Sequence, residues 1–186
     1  MPLNPLQRAA DPYMLVVGVT GVKLGEQVAQ LGCAHGGRLA AVAKRVGLSG
    51  RAVAFVPDEA SAARARRGAA DAGVLLEVEP AGPTHLPADS AAFDLVIVDD
   101  TGGFVTSMSD SDRSSTLREA WRVLRPAGRL IVIGAAGVTG LSRLWKRGGA
   151  STDPASTLDA QGFKSIRRLA ERDGLFFVEG IKPRDH

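Results

Sequence analysis

Two adjacent carboxylates, Asp99 and Asp100, directly follow the apolar run Phe93-Asp94-Leu95-Val96-Ile97-Val98. If that run is a strand ending at the reactive edge of a sheet, they could orient a substrate amine or hydroxyl or accept its proton; as loop acids they would only cap or solvate. The second chemically capable stretch is Gly32-Cys33-Ala34-His35-Gly36-Gly37. Small residues there let a backbone approach a ligand closely, although the same residues also make a plain strand-to-helix turn. His35 is a candidate general base or polar ligand contact, or an exposed loop histidine. Cys33 is a candidate thiolate only on paper, because it has no basic neighbour in sequence other than His35 and small buried cysteines are common. Gly18-Val19-Thr20-Gly21-Val22-Lys23-Leu24-Gly25 has glycines spaced like a dinucleotide loop, but the elements around it fit that motif poorly. Arg64, Arg66 and Arg67 have the spacing of a solvated helix face, from which Arg64 could form a modest basic patch with Lys44 and Arg45. Leu141-Ser142-Arg143-Leu144-Trp145-Lys146-Arg147 reads as a lid helix or as a basic apolar patch that docks on a partner.

These residues belong to a chain of 186, long enough to bury a core in one domain spanning 1–186, with 1–12 as a loosely ordered arm and 137–157 as a lid. Hydrophobic residues make up 45% and charged residues 23%, which excludes a disordered chain. No segment has the apolar length of a membrane span. A formal charge of +3 with only 5% aromatic residues gives no sign of specific nucleic-acid binding. One cysteine excludes an internal disulfide and a cysteine-cluster metal site, so no metal is expected. The start Met1-Pro2-Leu3-Asn4 lacks a secretory pattern, and the expectation is a cytoplasmic protein.

The pattern that must position the candidates alternates strands and helices. Asp11-Pro12 opens a short helix carrying Tyr13, Met14, Val17 and Val19; Glu26 to Leu31 is the first strand; Arg38 to Arg45 is helical. Arg51 to Val56 is the second strand, Asp58 or Ser61 caps a helix ended by Gly73, and Val74 to Val78 is the third strand. Phe93 to Val98 is apolar enough to be buried on both faces, hence central. A polar stretch from Asp99 to Asp112 precedes a helix from about Ser114 to Leu124, stopped by Arg125-Pro126-Ala127-Gly128, and Arg129 to Ile133 is the fifth strand. After a Leu141 to Trp145 helix and a helix near Ser156 to Gln161, Ser165 to Leu169 and Leu175 to Glu179 form a hairpin at Asp173-Gly174. The expected fold is α/β: a doubly wound, Rossmann-like, mostly parallel seven-stranded sheet with a C-terminal antiparallel hairpin.

Across most of its length the chain resembles the class I S-adenosylmethionine-dependent methyltransferases, particularly the small-molecule, type 11-like members. The matching pieces are Gly25 to Gly36 as first strand and glycine loop, and Gly50-Arg51-Ala52-Val53-Ala54-Phe55-Val56 as second strand. His85-Leu86-Pro87 followed by Phe93 to Val98, then Leu117 to Leu130, and finally Gly162-Phe163 complete the order. The resemblance implies an S-adenosylmethionine site on Gly32 and Gly36, with Ala34 in place of the middle glycine and His35 beside it. It also implies three acidic anchors, and the aligned positions here are Gln30, Val56 and Gly82. The cofactor motif is therefore degenerate; Asp58 or Glu59 would have to substitute for the missing carboxylate at the end of the second strand. Asp99 and Asp100 fall on the substrate side. Two functions follow as expectations: methyl transfer to an oxygen, nitrogen or carbon nucleophile of a small molecule, or a catalytically inactive methyltransferase-fold subunit that binds a protein partner or a second copy. The two differ in an observable way: an enzyme keeps an open cleft beyond strands one and four, whereas a scaffold fills it with side chains such as Phe55, Val56 or Phe104, or exposes an apolar patch near Trp145 or Tyr13-Met14.

Overall fold

The computed structural model describes residues 13–136 and 154–184, with side chains of 154–156 excepted. The lid segment 137–157 with its Leu141 to Trp145 helix, and the arm 1–12, therefore fall largely or wholly outside the described residues.

The elements in chain order are α1 (Met14–Thr20), β1 (Gln27–Leu31), α2 (Gly36–Val46), β2 (Arg51–Val56), α3 (Glu59–Ala72), β3 (Glu77–Pro80), β4 (Phe93–Asp99), α4 (Asp110–Val123), β5 (Leu124–Ala135), α5 (Pro154–Ala160), β6 (Lys164–Arg172) and β7 (Leu175–Ile181). One seven-stranded sheet has the order β3-β2-β1-β4-β5-β7-β6. The pairs through β5 are parallel, and β7 runs antiparallel to both β5 and β6. The order reverses between β1 and β4, so their carboxyl ends open the crevice in which open α/β sheets bind ligands.

Side-chain alternation sorts β4 between two apolar layers. Val96 and Val98 pack on the face that receives Leu117, Ala120 and Val123 of α4, and Leu95 and Ile97 on the face that receives Val42 and Val46 of α2 with Val16 of α1. A third cluster seats Ala62 and Ala65 of α3 on Ala54 and Val56 of β2. The alanine-rich helix has little bulk to hold it off the sheet, and glycines bring it close to α2 as well. A Cβ on Gly36 would run into the carbonyl oxygen of Arg64, and one on Gly68 into the backbone of Gly36.

Among the elements whose limits differ from those expected, three show a local physical cause. The third strand begins at Glu77 rather than Val74, because Gly73 takes a left-handed turn and the Val74 N–H closes the helix end on Ala69 O at 3.0 Å. α4 begins at Asp110 because Ser109 caps it: its hydroxyl accepts from Asp112 N at 3.1 Å and donates to the Asp112 carboxylate at 2.9 Å. β5 starts at Leu124 without an intervening loop. The Arg125–Gly128 segment bulges between the pairs Phe93↔Leu124 and Leu95↔Arg129 instead of separating two elements. That junction is held from the far end of the chain, where Lys182 Nζ donates to Trp121 O at 2.9 Å and Leu124 O at 2.7 Å and lies 3.8 Å from the Trp121 ring centroid. A cation at the last carbonyls of a helix is the favourable arrangement for its dipole. The hairpin forms as expected, with Asp173 and Gly174 both at positive φ.

Candidate functional site

At the end of β1, Gln30 is buried and its amide donates to Gly32 O at 3.0 Å, so it fixes the loop's own backbone. Gly32 has φ +77°, which a side chain would strain, and its N–H donates to Phe55 O at 2.9 Å. The space a Cβ would need is already bounded by the Phe104 ring at 3.0 Å and Asp99 O at 3.3 Å. Beyond this turn the Ala34 N–H donates to Asp99 Oδ2 at 3.0 Å. Asp99 Oδ1 accepts from Thr101 Oγ1 at 2.6 Å and from Thr101 N at 3.2 Å, and Arg38 on the first turn of α2 approaches the same oxygen at 3.4 Å while also donating to Thr101 Oγ1. Asp99 is 2% exposed and ties β1, β4 and α2 together.

Asp100 points to the other face, as the next residue along an extended chain must. Its Oδ1 accepts from Val105 N at 2.5 Å and Thr106 N at 3.0 Å, which folds the loop carrying Phe104, while Oδ2 has no partner among the described residues. Burial pushes this carboxyl above the ordinary Asp value, against the pull of those N–H donors. The adjacent pair thus divides, one carboxylate bracing the glycine loop and the other the loop that covers it.

A cavity of about 400 Å³ lies at this edge, lined by Gly32, Ala34, Asp58, Ser61, Asp99 and Phe104 among others. Asp58 is the cap of α3, accepting from Ser61 N at 2.7 Å and Ser61 Oγ at 3.2 Å; the first of these donors holds its carboxyl below the ordinary value. Glu59 pairs instead with Arg66 at 2.7 Å. Besides Gln30, Asp100 and Glu59, four further candidates lie outside the cavity lining. Val56 is fully buried in the α3 cluster, and Gly82 is exposed in open space. The missing side chain of Gly36 serves the approach of α2 to α3. His35 caps α2, its Nδ1 accepting from Gly37 N at 3.2 Å, and faces a different cleft, of about 520 Å³. Cys33 is buried, and desolvation, followed by the charge of Asp99, pushes its thiol up to about 11, so at neutral pH it is a protonated packing group.

Sequence reasoning named Phe104 only as a side chain that could fill the crevice. It placed Ser61 only as a cap and Arg64 only as a surface cation. The structure puts both at the cavity, with Arg64 Nε donating to Cys33 O at 3.0 Å and Nη2 to Ser61 Oγ at 2.8 Å. Arg38 was missed altogether. Its signal lies in helical geometry: the third residue of a helix that begins after a glycine turn faces back toward the strand ends. Among the described residues no cluster of His, Cys, Asp and Glu could hold a metal ion, and no helix is long and apolar enough to cross a membrane.

Residues 28–128 match the family model described as "Methyltransferase domain". No curated protein matches the chain. Solved structures with a similar fold include a SAM-dependent methyltransferase from Aquifex aeolicus, 19% identical with a TM-score of 0.71, covering 96% of this chain and 93% of that one. A SAM-dependent O-methyltransferase from Thermotoga maritima is 14% identical with a TM-score of 0.65, covering 94% and 65%. A third is the putative methyltransferase in complex with the Trm112 methyltransferase activator from Haloferax volcanii, 19% identical with a TM-score of 0.68, covering 93% and 89%.

Proposed function

Because this chain belongs to the methyltransferase-domain family, whose implied cofactor is S-adenosylmethionine, we propose that the 400 Å³ cavity holds that cofactor for methyl transfer to a small molecule. The observation that carries the reading is the meeting of a positive-φ glycine turn at Gly32 with a carboxylate, Asp58, in one cavity beyond β1 and β4. Asp58 takes over the hydroxyl-accepting role for which Val56 has no side-chain acceptor, and the α3 cap holds it in place. Gly32 and Ala34 offer the close backbone approach that the methionine part needs, once Phe104 has moved off Gly32. When bound, the sulfonium supplies an electrophilic methyl group, and the remaining work belongs to the protein. It orients the acceptor in line, excludes water, and keeps the glycine loop rigid through Asp99 and Arg38. Asp99 is a positioning residue in this scheme, since it already accepts from Ala34, Thr101 and Arg38. The acceptor is an oxygen, nitrogen or carbon nucleophile that enters the crevice already deprotonated, because Asp99 is engaged by Ala34, Thr101 and Arg38 and neither Asp100 nor His35 lines the cavity.

One observation favours a second reading, a binding or assembly subunit without catalysis: the Phe104 ring is packed where the ligand would rest on Gly32. Calorimetric titration with S-adenosylmethionine and S-adenosylhomocysteine separates the two. The enzyme reading expects micromolar binding that weakens about tenfold in Asp58→Asn, which keeps a good helix cap and removes the charge-assisted acceptor. A folded protein that binds neither compound at millimolar concentration overturns it and leaves the subunit reading.

A further inference from the structure

Behind the glycine loop the cleft of about 520 Å³ lies between α2 and α3, with the residues 34–37 as its floor and Tyr13 of α1's cap on one side. Its lining gathers cations that have no carboxylate partner among the described residues. Most arginines among the described residues have a carboxylate partner, including Arg51, Arg66, Arg122 and Arg129. Lys44, Arg64 and Arg67 have no ion pair among the described residues, and all three line this cleft, against the single carboxylate of Asp71. Arg45, the other member of the expected basic patch, does not line it. The convergence follows from the backbone contact of Gly36 with Gly68. With the two helices that close, side chains on α3 one turn apart, Arg64 and Arg67, stand opposite Lys44 on α2.

The remaining wall is aromatic. The Tyr13 and His35 rings meet with centroids 5.4 Å apart and an interplanar angle of 51°. His35 Nδ1 accepts from the Gly37 N–H, which in the neutral ring leaves the proton on Nε2, a donor. Arginine pairs with phosphate oxygens in a planar, two-pronged geometry, and the volume is that of a small-molecule site rather than of a lone anion. We propose that this cleft binds a phosphate ester carrying a planar ring, a ligand of nucleotide size, with the phosphate on Lys44 and Arg67 and the ring against Tyr13 and His35. The site is separate from the cavity assigned to the cofactor and shares with it Ala34 and Arg64.

The probe is adenosine monophosphate, titrated calorimetrically at low ionic strength beside adenosine and S-adenosylmethionine. The expected result is binding of the monophosphate but not of adenosine, weakened by added salt. Lys44→Glu and Arg67→Glu should each reduce the affinity about tenfold, the order of one charge-assisted hydrogen bond, without changing the affinity for S-adenosylmethionine. Both side chains are exposed, so the variants should fold, and circular dichroism checks that they do. No binding of the monophosphate at millimolar concentration overturns the proposal. So does equal binding of adenosine, or binding that Lys44→Glu and Arg67→Glu combined in one chain leave unchanged, which would place the ligand in the other cavity. The S-adenosylmethionine arm of the same titration reads the cofactor proposal independently.

Discussion

Phe104→Ala should make the protein less stable and its grip on S-adenosylmethionine tighter, by amounts that correspond. In the folded protein the ring packs on Gly32 and against the α4-side core, and it is half-buried. Removing a fully buried Phe costs about 3–5 kcal/mol, so a half-buried one is worth about 1–2 kcal/mol. A ligand that rests on Gly32 must first displace the ring and forgo that packing, which lowers its apparent affinity by the same free energy. The variant has no ring to displace, and the gain in affinity should be about 5–30-fold. A chain of this length loses about 2–4 °C of Tm per kcal/mol, so the melting temperature should fall by about 2–8 °C. Differential scanning fluorimetry without ligand and calorimetric titration with it supply the two numbers, and Phe104→Leu should lie between wild type and Ala in both. A folded but destabilised Phe104→Ala that binds S-adenosylmethionine no better than wild type, or worse, would refute the reasoning and make Phe104 a contact of the ligand rather than its competitor.

Gly36→Ala should cost about 1–3 kcal/mol or more in urea denaturation, because the new Cβ meets the Arg64 carbonyl and backbone has no rotamer to escape into; Gly82→Ala, in open space, should fall within about 0.5 kcal/mol of wild type. Asp100 has a folded-state pKa raised by burial, so the folded protein holds a proton that the unfolded chain has already released, and stability falls as pH rises from the ordinary Asp value through the raised one. In Asp100→Asn that slope should disappear from urea midpoints scanned upward from pH of about 3.9. Cys33, with its thiol at about 11, should resist iodoacetamide at neutral pH in the native protein and react in urea; rapid alkylation of the folded protein would contradict its burial.

What could be read from the sequence divides along physical lines. β4 announced itself because a strand buried on both faces needs an unbroken apolar run, and β1 and α2 because a glycine turn joined them. The third strand was displaced by three residues because Val74, Leu75 and Leu76 are apolar for different reasons. Val74 closes a helix end, Leu75 is 76% exposed, and Leu76 packs against the α3 cluster. Asp99 and Asp100 were read together although a strand sends neighbours to opposite faces, and that alternation already contained the answer. Gly36 belongs to a different class. A glycine that admits a ligand and one that admits a neighbouring helix look identical in sequence, and only the position of Gly68, 32 residues further on, distinguishes them. The helix cap at Asp58 was legible, since a capping residue just past the end of a strand is a local pattern.

The sheet order β5-β7-β6 also has a consequence for how the chain comes off the ribosome. β7 is the seventh strand to be made, yet it is inserted between two earlier ones, and its Glu179 is the buried partner of Arg129 on β5 and Arg167 on β6. Until Leu175 to Ile181 emerge, β5 presents Leu130 to Ile133 along an unpaired edge, the kind of template on which nascent chains join one another. The α4–β5 junction likewise waits for Lys182 to reach the carbonyls of Trp121 and Leu124. Synthesis therefore passes through a stage in which β1 to β5 have been made while that edge is still open, and shielding it is the moment at which a chaperone has most to contribute.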